Sequence, residues 1–293
     1  MNRFTFMRDH RDRWAVAVMA DAFEVSTSGY YGWIDRPDST RTRRRAELEA
    51  AVIEVFRESH GNYGSRKVTE ELARRHVETC RNSVQKLMQS NALQSRAQRR
   101  RRYVTTTDSD HADPVASNVL ERDFSTPAPN KKWVADITYV PTDEGWVYVA
   151  AVMDLFSRRI VGWSVSDSLE TSIVLEALED ALGRRQPDAG LLHHSDRGCQ
   201  YTSQAYRELL VDHGIDCSMS RRGDCWDNAA MERFMNTLKN EWVNHRSYRT
   251  IEEVRSSLFT FMEIYYNRQR IHEAIGYVTP VEYEMAHRGE TAA

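Results

Sequence analysis

The chain has 293 residues, 41% of them hydrophobic and 28% charged, a balance that excludes a disordered polymer and allows a catalytic core with an accessory domain. The formal net charge of −3 conceals a split: residues 1 to 105 hold 21 Lys/Arg against 13 Asp/Glu, and the remainder holds 19 against 30. A basic front predicts contact with a polyanion, and the acidic remainder needs cations or local basic strips to approach the same partner. Cys80, Cys199, Cys217 and Cys225 form no CxxC pair and no Cys/His cluster, which argues against a disulfide framework or structural zinc and for the reduced thiols of a cytosolic protein. No run of about 18 apolar residues argues for a membrane span, and the first residues mix acids with bases and lack a cleavage signature.

Residues 1 to 40 read as an N-terminal helical segment. From 44 to 58, "RRAELEAAVIEVFRE" places Leu48, Ala51, Val52, Val55 and Phe56 on one helical face, and a break at "HGNYGSRK" follows. Two more helical patterns, "RKVTEELARR" and "NSVQKLMQS", are joined by a short turn. Three helices with a tight second connection fit a helix-turn-helix arrangement over residues 41 to 104, although any small helical bundle would look alike. Arg66, Lys67 and the run Arg99, Arg100, Arg101 and Arg102 are its candidate phosphate contacts, salt-sensitive and blind to sequence. Residues 105 to 129 lack periodicity and are rich in Ser, Thr, Asp and Pro, as in a linker.

Beyond the linker, "KWVADITYVP" and "GWVYVAAVMDLF" are β-rich runs around a hairpin turn, and "RRIVGWSV" supplies a third strand. A helix over "ETSIVLEALEDALG", a short buried strand "GLLHHS", a helix over "SQAYRELLVDHG" and a strand "IDCSMS" then alternate. A three-strand meander followed by alternating helix and strand predicts an α/β fold, a ribonuclease H-like core of mixed sheet flanked by helices, spanning residues 130 to 285 and leaving 286 to 293 as a tail.

Three carboxylates stand out. Asp136 interrupts an apolar strand, which is costly unless the acid is paired or binds metal. Asp196 falls where a short strand meets a Gly-containing loop, a common ligand position in α/β sheets. Glu232 lies in "DNAAMERFMNTLKNEW", whose Met231, Phe234, Met235, Leu238 and Trp242 form an apolar stripe. Lys239 follows Glu232 by seven positions, two helical turns less about 20°, so both project the same way, with Asn228 one turn earlier. Between Asp196 and Glu232 lie 35 residues.

"WVADITYV", "HSDRGCQYTS", "RRGDCWDNAAMERFMNTLKNEW" and "YNRQRIHEAIGYVTPVEYE" resemble the catalytic part of IS3-family insertion-sequence transposases, members of the DDE transposase and retroviral integrase superfamily. "HGNYGSRKVTEEL" is similar to the helix-turn-helix segment before that core, and "VSTSGYYGW" extends the likeness nearly to the start. The resemblance implies that Asp136, Asp196 and Glu232 hold two Mg²⁺ or Mn²⁺ ions for cleavage and joining of DNA strands at the ends of an insertion sequence. It implies that Lys239 contacts terminal DNA, with Asn228 on the same strip orienting Glu232 or touching DNA; Arg197 and Gln200 are read as substrate contacts because their loop begins at a metal-bearing strand end. It further implies fusion with, or help from, an upstream-frame product, assembly as a homo-oligomer on DNA, and a bacterial, nucleoid-associated location. Ala230 stands where relatives commonly have proline, a change expected to shift the helix start slightly at most. A nuclease that cuts without joining and a catalytically silent DNA-binding regulator are the competing readings.

Asp154 reads as structural. Of His193 and His194, one is expected in the core and one near the site, since hard cations disfavour imidazole. Trp226 is read either as a base-stacking ring or as a buried anchor, and Tyr266, Asn267, Arg268, Arg270 and His272 either as a DNA-facing strip or as an internal brace.

Overall fold

The computed structural model describes residues 3–37, 39–96, 115–222 and 224–287; Arg99, Arg100, Arg101 and Arg102 lie outside them. The chain divides into two compact units, Met1–Ala51 and Val52–Ala293. In the first, α1 (Arg3–Asp9), α2 (Val16–Ala22) and α3 (Thr27–Ile34) bury Met7, Met19, Ala20 and Tyr30. Ser26 caps α3 by accepting from the Gly29 amide at 2.9 Å. The boundary between units falls within α4 (Thr40–Glu58).

The second unit begins with the end of α4, α5 (Ser65–Arg74) and α6 (Arg81–Ser90), which bury Val52, Val55, Val68, Leu72, Val84, Leu87 and Met88. The apolar spacing that predicted three helices is thus the spacing of their shared core. On α6, Arg81, Asn82, Gln85, Lys86 and Gln89 remain exposed.

The sheet follows: β1 (Lys132–Thr142), β2 (Gly145–Asp154), β3 (Ile160–Ser166), α7 (Thr171–Arg185), β4 (Leu192–Ser195), α8 (Cys199–Thr202), α9 (Gln204–Asp212) and β5 (Asp216–Met219). Its order is β3-β2-β1-β4-β5, with β1–β2 and β2–β3 antiparallel and β1–β4 and β4–β5 parallel. This is the expected mixed, ribonuclease H-like sheet. Alternation along β1 sends Trp133 and Ala135 to one face, under α7 and α9, and Val134 and Val140 to the other. That second face is covered by α10 (Ala229–Glu241), α11 (Ile251–Phe259) and the π-helical turns Thr260–Tyr266 that continue α11; Phe234, Leu238 and Phe261 fill the space between. The last helix is α12 (Pro280–His287).

The part of the expected linker within the described residues is packed, not loose. Ser218 accepts from the amides of Val119 and Leu120 at 2.9 and 3.1 Å, and the Leu120 side chain is buried. Asn62 donates to the Tyr265 hydroxyl at 3.1 Å, and the Tyr63 hydroxyl accepts from the Ile271 amide at 2.8 Å, so the α4–α5 connection is hydrogen-bonded to the segment after α11. Among the described residues, no helix is long and apolar enough to cross a membrane.

Candidate active site

The parallel pairing of β1 with β4 matches Val134 with His194. Asp196 follows directly on the end of β4, and extending the register by two residues directs it toward Asp136. Asp136 accepts from the Ile137 amide at 2.8 Å. Burial, then the charge of Asp196, push its carboxyl well above the usual range, and Glu232 adds to the rise; the Ile137 amide and Lys239 act the other way. Asp196 accepts from the Gly198 amide at 2.9 Å, which fixes the loop. A Cβ on Gly198 would stand 3.1 Å from Asp196 Oδ1 and from Gln200 Oε1, so glycine keeps the approach to the carboxylate open.

Both aspartates line one cleft of about 370 Å³, with Gly198, Gln200, Leu169 and the rings of Tyr139, Trp146 and Tyr148. Lys239 stands at its edge with Nζ 4.2 Å from the Tyr139 ring centre. Burial lowers its pKa and Asp136 raises it. Glu232 lines a separate groove along α10 with Trp226, Arg233 and Asn236, and burial raises its pKa. The aspartate pair offers the all-oxygen ligation that hard divalent cations take, and its two carboxylates line one cleft, so these two residues fit such an ion. Among the described residues, however, no three His, Cys, Asp or Glu side chains form a ready metal cluster; Glu232 lines its own groove, and its charge still reaches Asp136.

Several expectations change on contact with the structure. Asn228 does not line an outer strip: it is 5% exposed and donates to the Ala135 carbonyl at 2.9 Å, tying the start of α10 to β1 one residue from Asp136. Lys67 faces the Tyr63 ring at 5.1 Å, and burial together with Arg270 draws its pKa down to about 7 against the pull of Glu241 and Glu273. Arg66 is exposed but pairs with Glu273 at 2.8 Å. Arg197 donates Nε to the Ser220 carbonyl, and Gln200 donates to the Leu169 carbonyl at 2.9 Å; both shape the loop around Asp196. Trp226 is 68% exposed, so it is not a buried anchor.

The histidines are both buried: His193 meets the Tyr206 hydroxyl at 3.2 Å, and His194 lies between the Ser218 and Ser220 hydroxyls at 2.8 and 3.1 Å. Asp154 closes β2, accepting from the amides of Asn130 and Phe156 at 2.8 and 3.0 Å and from Arg185 at 3.2 Å. The polar cluster after α11 is an internal brace over most of its length. Asn267 bonds both backbone groups of Ile160, at 3.0 and 2.9 Å, and Arg270 holds buried Glu241; Arg268 alone of the five is exposed.

Sequence reasoning passed over Asp227. It is fully buried and accepts from the Arg221 amide at 2.9 Å, from the Arg221 guanidinium at 2.9 and 2.7 Å and from Arg122 at 2.8 Å, which hold its carboxyl below the usual range. It pins the turn Cys225–Asn228 from which α10 starts. The paired basic residues of "RRGD" were the available signal.

Residues 126–225 and 213–280 each match a family model described as Integrase core domain, and residues 42–102 match one described as HTH-like domain. With the mixed sheet, these matches define an integrase-type core of the polynucleotidyl-transferase class, with a helix-turn-helix-like domain before it. The chain is 34% identical over 284 residues to "Transposase InsF for insertion sequence IS3A" of Escherichia coli K12, covering 96% of this chain and 98% of that one. It is 38% identical over 265 residues to the "Insertion element IS600 uncharacterized 31 kDa protein" of Shigella sonnei, covering 90% and 97%. Among solved structures, the HTLV-2 integrase catalytic core domain in complex with magnesium superposes over 55% of this chain and 99% of that chain, at 17% identity and a TM-score of 0.43. The chain belongs to the IS3-family transposases.

Proposed function

We propose that this transposase cuts and joins DNA strands at the ends of its own insertion sequence with Asp136, Asp196 and Glu232 as the catalytic carboxylates. The observation that carries the reading is the half-buried Asp136 carboxyl lining one cleft with Asp196, its pKa raised by desolvation and by its neighbour's charge. Asp136 and Asp196 would hold divalent cations, with Glu232 completing the set from the first turn of α10. Mg²⁺ or Mn²⁺ bound there supplies activation of the attacking oxygen and stabilisation of the leaving oxygen in a phosphodiester displacement. The chain's own residues do the rest. Lys239 offers an ammonium to the phosphate and is held at the cleft by Tyr139. Asn228 fixes α10 to β1 through the Ala135 carbonyl, which sets the approach of Glu232. Gly198 leaves Asp196 uncovered.

The exposed face of α6, with Arg81, Asn82, Gln85, Lys86 and Gln89, supports a DNA contact by the helix-turn-helix-like domain, because a second helix lies in the major groove in that motif. Terminal-repeat and target DNA are the partners, with an upstream-frame product and further copies of the chain in a nucleoid-bound assembly. A labelled element end incubated with protein, Mg²⁺ and target DNA tests this: joining gives labelled strands longer than the substrate, whereas shortened strands alone would support the cutting-only nuclease. Binding without either product, with the upstream-frame product present, would leave the regulator reading.

A further inference from the structure

One wall of the Asp136 cleft is made of the rings of Tyr139, Trp146 and Tyr148, of which Trp146 is the most exposed. In the β1–β2 register Tyr139 faces Tyr148, and Trp146 stands opposite Pro141 near the end of the hairpin. The Trp146 ring meets Tyr139 edge-on, with centroids 4.8 Å apart and planes at 86°. Strand alternation puts Ile137, Tyr139, Trp146 and Tyr148 on the same sheet face; Ile137 and Tyr148 pack against the edge of the core under α7 and α9, and Tyr139 and Trp146 continue the face past them. Trp146 is 55% exposed, whereas Trp133 on the same face is fully buried. An exposed tryptophan beside a formed cleft marks a contact surface more than a core position.

The chemistry gathered in the cleft narrows the ligand. Two aspartates and three aromatic rings line it together, and the Lys239 ammonium lies over one of those rings, Tyr139. Gln200 sits at the polar side, its Nε2 bonded to the Leu169 carbonyl and its Oε1 over Gly198. A nucleotide presents a matching set of groups: a phosphodiester for the carboxylates with their cation and for the Lys239 ammonium, and a flat base for the rings. A base still paired in a duplex is stacked between its neighbours and cannot offer its face, so only an unstacked base can use such a wall.

We infer that the Tyr139–Trp146–Tyr148 wall is a nucleobase subsite that captures one unstacked base next to the phosphodiester held at Asp136 and Asp196. Trp146 is the stacking platform, Tyr139 supports it edge-on, and Gln200 offers an acceptor to the base edge. The subsite holds the end of the DNA open while its phosphate is in place, and it tolerates different bases because every base has a π-face. The inference rests on the strand-cutting function proposed for the same cleft.

A binding cycle tests it separately from cutting. Duplexes ending in the terminal repeat that flanks the coding sequence, each with a single abasic site at successive positions, are titrated into the full chain and into Trp146→Ala, both carrying Asp196→Asn so that no strand is cut. The expected result is one position near the cut phosphate where losing the base weakens binding by the parent roughly tenfold, while Trp146→Ala loses a similar factor with the intact duplex and nothing more with the abasic one. Trp146→Phe, which keeps a ring, retains most of the sensitivity, and an unchanged thermal midpoint shows that the fold is intact. Equal abasic sensitivity in parent and Trp146→Ala at every position, or no sensitive position at all, overturns the subsite. Absence of cutting by the unmodified chain would instead strike the parent function and leave the binding cycle unaffected.

Discussion

Arg270 holds Glu241 through two hydrogen bonds, Nε to Oε2 at 2.8 Å and one terminal nitrogen to Oε1 at 2.7 Å, nine residues after Glu232 on the same helix. Both side chains are nearly buried, 11% and 7% exposed, and the Tyr265 hydroxyl donates to the same carboxylate at 3.3 Å. His60 packs edge-on against Trp242 and Tyr265, so the end of α10, the π-helical turns and the α4–α5 connection meet at one point. Removing one partner of a buried pair strands the other charge, which costs about 3–5 kcal/mol. Arg270→Met is therefore expected to lose about that much in urea unfolding, with Glu241→Gln losing less because it keeps hydrogen-bonding capacity. Equal stability of parent and Arg270→Met would show that the pair does not hold α10.

Gly162 in β3 packs directly against the backbone of α7. A Cβ there would lie 2.3 Å from the Ala177 carbonyl oxygen and 2.5 Å from the Ala181 nitrogen, both backbone atoms that cannot swing aside. Gly162→Ala is expected to destabilise the core by at least about 1–3 kcal/mol, the usual range for overpacking, read as a drop in the thermal midpoint. An unchanged midpoint would mean that α7 shifts freely.

His193 and His194 are kept neutral, burial drawing their pKa values down to about 3 and about 4 from an ordinary 6.5. On acidification the unfolded chain takes up these protons first. The stability they contribute is therefore present above pH 6.5 and is lost as pH falls toward their folded values, at up to about 1.4 kcal/mol per pH unit for each histidine. Asp227, with its carboxyl held low, loses its contribution only further down. Unfolding free energies across this window should fall steeply, and His194→Gln should flatten the slope; a parent protein as stable at the acid end as at neutrality would contradict it.

Asp136 has the opposite sign. Its raised pKa means that ionisation beside Asp196 opposes the fold as pH rises, until a cation neutralises the pair. Mn²⁺ is expected to raise the thermal midpoint of the unmodified chain at neutral pH and to do so progressively less on acidification. Asp136→Asn should be intrinsically more stable without metal and should lose most of the Mn²⁺ response. An identical response in both proteins would place the cation elsewhere.

The strands were legible because each carries a short-period apolar pattern closed by a turn, from "KWVADITYV" to "IDCSMS". The pairing of Asp136 with Asp196 was legible only through family spacing, since the β1–β4 register that brings them together is long-range. Polar residues in helices and turns were the poorest guide. Asn228 and Lys67 looked like surface groups, yet one serves the Ala135 carbonyl and the other a buried cluster, because their partners lie far away in sequence. The continuation of α11 as π-helical turns left no mark in the periodicity.

We propose that Asp136, Asp196 and Glu232 act as one set although Glu232 lines a groove separate from the aspartate cleft. The most direct test is the Mg²⁺-dependent rate of cutting at a labelled element end by the unmodified chain and by Asp136→Asn, Asp196→Asn and Glu232→Gln. Each substitution is expected to slow cutting by at least about a thousandfold, and the pairwise combinations to slow it little further, as for residues that act as a unit. Cutting by Glu232→Gln at a rate within a few-fold of the unmodified chain would contradict the account.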